Sequence, residues 1–454
     1  MTLSVDELVK LFLNHGYLIS SDAAELIRSR FTTREEVLQL ISRISARDRL
    51  VVDREVVEEA LDRRLEPEPV VEVVNLYKAP NIEPNIEGFK SYFRSRFRKL
   101  TRILKGIPSM RGAIPIANAS RLGGEVRVIG MVYSVGNRHI EIEDETGRIR
   151  VILPQDFRGI VLPDEVVGVV GRVRSRGDVI AATEIVKPGF SRPPKPEIRE
   201  HFRIAIISDI HVGSKKFLER EFRSFLSWLR DSGVKYLLVN GDLVDGVGIY
   251  PDQEEELEIK DVDKQYERLA ELLSQVPRSI RIFMIPGNHD AVRQAEPQPP
   301  LPKDICSMFP ENVQCLSNPA WLNLEGVRIL MYHGTSLNDM VESMPNADYQ
   351  NFDDALKEML RARHLAPIYG RKLPIAPEKE DYLVIEEVPH ILVTGHIHST
   401  RVIQERGVYL VNASAWQSQT RYQKLMNFHP VPARALVFDT RDWSFRELDF
   451  SSPR

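Results

Sequence analysis

The chain has 454 residues, 43% hydrophobic and 28% charged, with 61 Lys and Arg against 65 Asp and Glu and a formal net charge of −4. That length fits roughly two to four domains, and that apolar content excludes a chain disordered throughout. No global basic field exists, so any contact with nucleic acid must come from local patches. Two cysteines, Cys306 and Cys315, are too few for a disulfide framework or a cysteine zinc site; they are close enough in sequence to pair, but free thiols are the favoured expectation. The charged N-terminus lacks a signal-peptide layout, and no apolar run reaches the ~18 residues of a membrane helix. A cytoplasmic protein without a membrane partner is the expectation.

Residues 1–64 read as a small helical domain. Ser4 and Glu7 form a capping-box pair ahead of Leu8, Leu11 and Phe12 at helical spacing. Asp22, Thr33 with Glu36, and Asp53 open three further helices, with Ala24, Leu26, Ile27, Val37, Leu40, Ile41, Val56, Val57 and Leu61 as core candidates. The domain carries no catalytic grouping; it docks a partner or is simply a solvated bundle. Residues 65–88 contain Glu66-Pro67-Glu68-Pro69, Ala79-Pro80 and Glu83-Pro84 and read as a linker.

From residue 89 a basic helix is predicted, with Phe89, Phe93, Phe97, Leu100 and Leu104 on one face. Lys90, Arg94, Arg98 and Arg102 lie on another, and Arg96, Lys99 and Lys105 add charge. The face either contacts nucleic-acid phosphates, with Arg94, Arg98 and Arg102 the candidates, or is a solvated face of a packed helix. Between 112 and 187 the period changes to five short β-type runs separated by turn residues. This suits an OB-fold barrel within a domain spanning 89–188. Its aromatics are sparse (Tyr133, Phe157), which favours scaffolding over base stacking. Residues 189–199, with Gly189-Phe-Ser-Arg-Pro-Pro-Lys-Pro196, read as a second linker.

Residues 200–454 alternate buried-strand runs (203–208, 236–240, 280–285, 327–332, 391–394, 408–412) with helical patterns at 217–232, 263–275 and 352–363, an α/β layered domain. The chemically informative residues sit where those strands end: Ser208-Asp209-Ile210-His211, Asn240-Gly241-Asp242-Leu243-Val244-Asp245, Pro286-Gly287-Asn288-His289-Asp290, His333-Gly334 and Gly395-His396-Ile397-His398. Strand carboxyl ends line the crevice of an open α/β sheet, so these side chains are expected to meet. Asp, His and Asn are the donors of a di-metal site, whose ions lie about 3.5–4 Å apart. Asp245 reads equally well as a turn-forming carboxylate. Gln423-Lys-Leu-Met-Asn-Phe428 is only faintly like a clamp-binding peptide, and Glu254–Glu256 reads as a solvated acidic turn.

In this order the motifs D-x-H, G-D-x-x-D, G-N-H-D, H-G and G-H-x-H resemble the calcineurin-like metallophosphoesterases over roughly residues 200–440. The resemblance implies a layered phosphoesterase sheet domain in which Asp209, His211 and His398 hold one divalent ion. Asn288, His333 and His396 would hold a second, with Asp242 bridging. His289 would be the non-ligand proton donor, oriented by Asp290. Mn²⁺ is favoured, with Mg²⁺, Fe²⁺ or Zn²⁺ as alternatives. An OB barrel ahead of such a domain resembles the B-subunits of replicative DNA polymerases. The segments 92–104, 245–257 and 364–385 resemble the small subunits of archaeal polymerase D (polymerase II). That likeness implies a large catalytic polymerase subunit as partner, single-stranded or frayed 3′ DNA as substrate, contact with a sliding clamp through the complex, and 3′→5′ exonuclease activity. A structural B-subunit with vestigial metals and a free-standing metallophosphodiesterase are the alternatives. The full ligand set argues against the first, and the barrel and basic helix against the second.

Overall fold

The computed structural model describes residues 4–452 except 16, 32, 45–50, 55, 59–70, 75, 76, 78–84, 123, 175, 176, 346, 426 and 427. The Pro-Glu stretch at 66–69, Ala79-Pro80, Glu83-Pro84 and Leu61 lie outside the described residues. The chain divides into two compact units, Met1–Val70 and Val71–Arg454.

Among the described residues of the first unit, helices run Val5–Asn14, Ser21–Arg30 and Arg34–Ile44. Ser4 caps the first helix, with the reciprocal Glu7 bond of a capping box. Leu8, Phe12, Ile27, Leu40, Val52 and Val57 form its core. A two-residue parallel pairing, Leu18–Ile19 with Val51–Val52, completes it.

In the second unit, strands Gly124–Val135, His139–Asp144, Gly147–Ile152, Val179–Val186 and Val166–Val173 close in that order into a barrel. All five are those expected from the 2-residue period, and Val128, Ile142, Val151, Val169 and Ile180 fill the interior. Beyond the barrel, two six-stranded sheets stack face to face. The first runs Val313–Cys315, Arg281–Ile285, Val234–Asn240, Arg203–Ile207, Arg434–Asp439, Ser444–Asp449. The second runs Arg401–Glu405, Val408–Asn412, Ile391–Thr394, Val327–Met331, Ala320–Leu324, Val71–Val74. Alternation sorts the side chains. Ile204 and Ile206 enter the inter-sheet core, while Ala205 and Ile207 face the helices Glu219–Leu229 and Val262–Leu273. The second sheet is covered by helices Leu337–Ser343 and Asp353–Ala362. This is the layered α/β domain that the strand pattern over 200–454 predicts. The strands Arg203–Ile207, Val234–Asn240 and Arg281–Ile285 are mutually parallel, as are Val327–Met331, Ile391–Thr394 and Val408–Asn412, so each sheet brings its motif-bearing strand ends to one edge.

Several expectations are corrected. Within 65–88, read as linker, Val71–Val74 is a strand antiparallel to Ala320–Leu324, extending the second sheet's edge with β-branched residues. The stretch 189–199 is pinned to the layered α/β domain: Gly189 N donates to Arg361 O, and His390 Nε2 to Pro194 O. Cys306 and Cys315 are not free thiols but form a disulfide. A helix end (Lys303–Cys306) and an edge strand (Val313–Cys315) place their Cα atoms 6.3 Å apart, within the span of such a bridge.

The basic helix runs Ile86–Lys105. Of its seven basic residues Arg96 and Lys99 are buried, while Lys90, Arg94, Arg98, Arg102 and Lys105 are exposed. Arg96 is fully buried against Asp381, and Lys99 pairs with Glu380 and Glu386. Lys90 pairs with Glu87, Arg94 with Glu145, and Arg102 with Glu386. Leu100 and Leu104 share a core with barrel residues Ile129, Val166 and Val186 and with Val384. The helix thus packs the barrel onto the layered α/β domain through one face and leaves Arg94, Arg98 and Arg102 exposed on the other.

Candidate metal centre

The strand-end motifs converge at a cavity of about 310 Å³. Three groups of donor atoms each lie within 4.8 Å of one another: Asp209, His211 and His398; His211, Asp242 and His289; Asp242, His333 and His396. Asp242 belongs to two of them. Its Oδ2 stands 3.3 Å from His333 Nε2 and 3.8 Å from His211 Nε2. Asn288 Oδ1 is 3.2 Å from His333 Nε2, and His398 Nε2 is 3.3 Å from Asp209 Oδ1.

The local backbone is bent to achieve this. Asp209, His211, Asp242 and His396 all have positive φ (52°, 54°, 47° and 65°), a conformation that costs on the order of 1–3 kcal/mol per residue and persists where the surroundings impose it. Gly241 (φ 94°) and Gly287 are required for a second reason. A Cβ at Gly241 would collide with the His333 ring, and one at Gly287 with Asp242 Oδ1.

Hydrogen bonds fix the imidazoles. His211 Nδ1 donates to Asp245 Oδ1 (3.0 Å) and His333 Nδ1 to the Asn240 carbonyl (2.9 Å). Both acceptors lack a proton, so Nδ1–H is held outward and Nε2 is turned to the cavity, where the neutral ring offers it as a lone pair, the arrangement of a metal-ligating histidine. His398 Nδ1 meets the Gln423 amide at 2.9 Å, and His396 Nε2 the Asn338 amide at 2.8 Å. Among the described residues, Asp209 Oδ1 is buried without a hydrogen-bond partner of good geometry. His211 Nε2 and His398 Nε2 face each other at 3.2 Å. An orphaned carboxylate oxygen beside converging imidazole nitrogens is a donor set that fits a divalent cation.

Electrostatics point the same way. Burial opposes ionisation of Asp242, yet His333, His289 and His211 hold its carboxyl well below the usual range. Burial likewise opposes charge on His333, but Asp242 and Asp209 push it up to about 10. Burial and the neighbouring His333 bring His396 down to about 3. His289 is raised despite burial, by Asp242 and Asp245. Its Nδ1 donates to the Asp245 carbonyl (2.7 Å) and its backbone N–H to Asp242 Oδ1 (2.9 Å), which leaves Nε2 for proton exchange.

The structure brings together Asp209, His211, Asp242, Asn288, His289, His333, His396 and His398. Arg94, Arg98 and Arg102 are not among the cavity's lining residues. The role expected of Asp290 is corrected. Its oxygens accept from Gly287 N (2.8 Å), Leu243 N (3.1 Å) and Tyr266 OH (2.9 Å), so it braces the loops that carry Asp242 and Asn288. The Asp245 carbonyl, not Asp290, orients His289. Burial and Asp242 raise Asp290 to about 6. Asp245 is more than a turn residue: it is buried, it holds His211, and it accepts from Gln253 and Gln417. Sequence reasoning also missed Asn338, Gln417 and Gln423, polar residues with no motif spacing to mark them. Gln423, considered above as part of a clamp peptide, is committed to His398; Met426 and Asn427 of that peptide lie outside the described residues.

A family profile for the B subunit of DNA polymerases alpha and epsilon matches residues 204–402. A DNA polymerase II small subunit from Thermoplasma acidophilum is 42% identical over 98% of this chain and 93% of its own length. The chain belongs to the archaeal DNA polymerase II small-subunit family. Another member, from Archaeoglobus fulgidus, is 40% identical over 94% of this chain and 95% of its own. A third, from Methanothermobacter thermautotrophicus, is 44% identical over 77% of each. Among solved structures, an archaeal phosphodiesterase aligns at 12% identity over 54% of this chain and 99% of its own, with a TM-score of 0.29. No helix among the described residues is long and apolar enough to cross a membrane.

Proposed function

We propose that this polymerase small subunit is a metal-dependent 3′→5′ exodeoxyribonuclease that removes unpaired 3′ nucleotides for a large catalytic polymerase subunit. The carrying observation is the convergence of eight Asp, His and Asn side chains from both sheets on one cavity. Asp209, His211 and His398 would hold one divalent ion, and Asn288, His333 and His396 a second, with Asp242 shared. When bound, such ions supply electrostatic polarisation of the phosphate and water acidic enough to attack near neutral pH.

The chain's own residues do the rest. Asp245 and the Asn240 carbonyl keep His211 and His333 in the Nδ1–H tautomer, which requires no reorganisation during reaction. His289 donates its Nε2 proton to the departing 3′ oxygen as the P–O3′ bond breaks. The oxygen of the attacking water remains on phosphorus. The products are a 5′-mononucleotide and a strand one residue shorter with a free 3′ hydroxyl. Asp290, protonated below about pH 6, acts at a distance by keeping the two loops in register.

Scaffolding of the large subunit is proposed alongside catalysis and falls to the outer surface of the barrel and phosphoesterase unit. A purely structural subunit would have no need of four strained backbone positions at one cavity. His289→Ala tests the catalytic reading. Digestion of single-stranded DNA with Mn²⁺ should fall about 10²–10⁴-fold while both ions stay bound and primer extension by the assembled complex persists. Undiminished digestion in that variant would overturn the mechanism.

A further inference from the structure

The cavity has two aromatic walls, one beside His289 and one beside His398, whose rings flank His211 at 4.8 and 5.0 Å. Tyr250 lies beside His289, with ring centroids 6.3 Å apart. Phe428 lies 6.4 Å from His398 and packs edge-on against Tyr349 at 5.7 Å, and both rings line the cavity. Neither ring belongs to the motifs that bring the donors together. They come from separate segments, each held in place. Phe428 N donates to Gln423 O (2.8 Å) and its carbonyl accepts from Gln419 Nε2 (2.6 Å). The Tyr349 turn is closed by Asp348 and Asn351, and Arg401 donates to the Gln350 carbonyl.

The polarity of the proposed reaction decides what each wall would meet. His289 gives its proton to the 3′ oxygen of the penultimate nucleotide, so that nucleotide lies on the Tyr250 side. The terminal nucleoside is joined to the same phosphorus through its 5′ oxygen, which does not leave, and extends to the opposite side. We infer that Phe428 and Tyr349 form the subsite that stacks the 3′-terminal nucleobase of an unpaired strand. This rests on the exonuclease reading above. Every base has a π-face, so such a wall is tolerant of sequence. It is selective for pairing state: a base reaches it only after leaving its partner, which is least costly for a mismatched end. The cavity volume suits a single small ligand.

The test uses the full-length chain with Mn²⁺ and two otherwise identical single strands, one ending in a nucleobase and one in a 3′-terminal abasic residue. The parent protein should cleave the base-bearing strand with kcat/KM about 5- to 150-fold higher, the range expected of one base–aromatic stack. Phe428→Leu and Tyr349→Leu keep apolar volume but remove the ring. They should bring that ratio toward one, with the loss concentrated on the base-bearing strand. Equal losses on both strands, or an unchanged ratio, would overturn the subsite. A second readout does not need turnover: a 3′-terminal 2-aminopurine strand should be quenched on binding to the Ca²⁺-treated parent and not by either variant. If the parent cleaves neither strand, the exonuclease reading fails, and the quench alone decides the subsite. Absence of quenching in the parent overturns it.

Discussion

Arg96 and Asp381, 285 residues apart in sequence, form an ion pair at 2.7 Å with neither side chain reached by solvent. The guanidinium also donates to the Pro367 carbonyl (2.8 Å) and lies 3.3 Å from Tyr92 OH. Asp381 receives His364 Nε2 at 2.8 Å, and its backbone N–H is held by Ser95. A helix that read as a stripe of surface charge is thereby fixed to the segment 364–385.

Removing one partner of such a pair strands a buried charge. Arg96→Met should destabilise the second unit by about 3–5 kcal/mol. The double variant Arg96→Met with Asp381→Leu should recover much of that, because the desolvation cost disappears with the second charge. Denaturant unfolding of the four proteins gives the coupling. Additive losses would show that the two residues act independently.

His364 makes the same network sensitive to acid. Its Nδ1 accepts from Ala366 N (3.0 Å), so the ring's proton sits on Nε2 facing Asp381, and a second proton would break the Ala366 bond. Burial first, then the nearby Arg96 charge, hold it down at about 4. Between pH ~6.5 and ~4 the unfolded chain therefore takes up a proton there that the folded chain does not. Stability is lost as pH falls through that window, by up to about 3 kcal/mol from this residue. His364→Gln offers an acceptor and a donor without titrating, so its stability should fall less steeply with acid. Superimposable acid limbs for parent and variant would refute this.

Asp245 should matter through His211. Asp245→Asn keeps the volume but removes the charge and places an amide donor where Gln253 and Gln417 donate. Mn²⁺ affinity should drop about 10- to 100-fold with the fold retained, as for other partners of ligating histidines. Titration calorimetry reads this directly. Unaltered affinity would reduce Asp245 to a loop brace.

What was legible in the sequence follows from periodicity. The barrel strands and the strands Arg203–Ile207, Val234–Asn240, Arg281–Ile285, Val327–Met331, Ile391–Thr394 and Val408–Asn412 are apolar runs with turn residues at their ends, and they appear where the pattern puts them. Val71–Val74 was lost among prolines, and its strand character comes from pairing with Ala320–Leu324, a partner distant in sequence. The donors were legible because each directly follows a buried strand. Asn338, Gln417 and Gln423 were not, because ordinary polar residues acquire a role only through long-range contacts. The burial of Arg96 was not legible for the same reason. Arg96 and Arg98 look alike in sequence, yet one is buried against Asp381 and the other is exposed.

Asp242 gives the sharpest test of the centre as a whole. It lies in two of the three donor groups, and its oxygens approach His333, His211 and the His289 backbone. If two ions share this carboxylate, Asp242→Ala should remove both, because each would lose a ligand and the charge that offsets its neighbour. Asp209→Ala should instead weaken one ion more than the other, since Asp209 groups only with His211 and His398. The variants are expected to stay folded: Asp242 sits at a loop where Asp290 binds the backbone of Leu243 and Gly287 independently of it. Elemental analysis after dialysis, with circular dichroism to verify the fold, measures the outcome. Two tightly retained ions in a folded Asp242→Ala protein would remove Asp242 as the shared ligand. Equal loss of both ions in Asp209→Ala would show that the two positions cannot be separated in the way the donor groups imply.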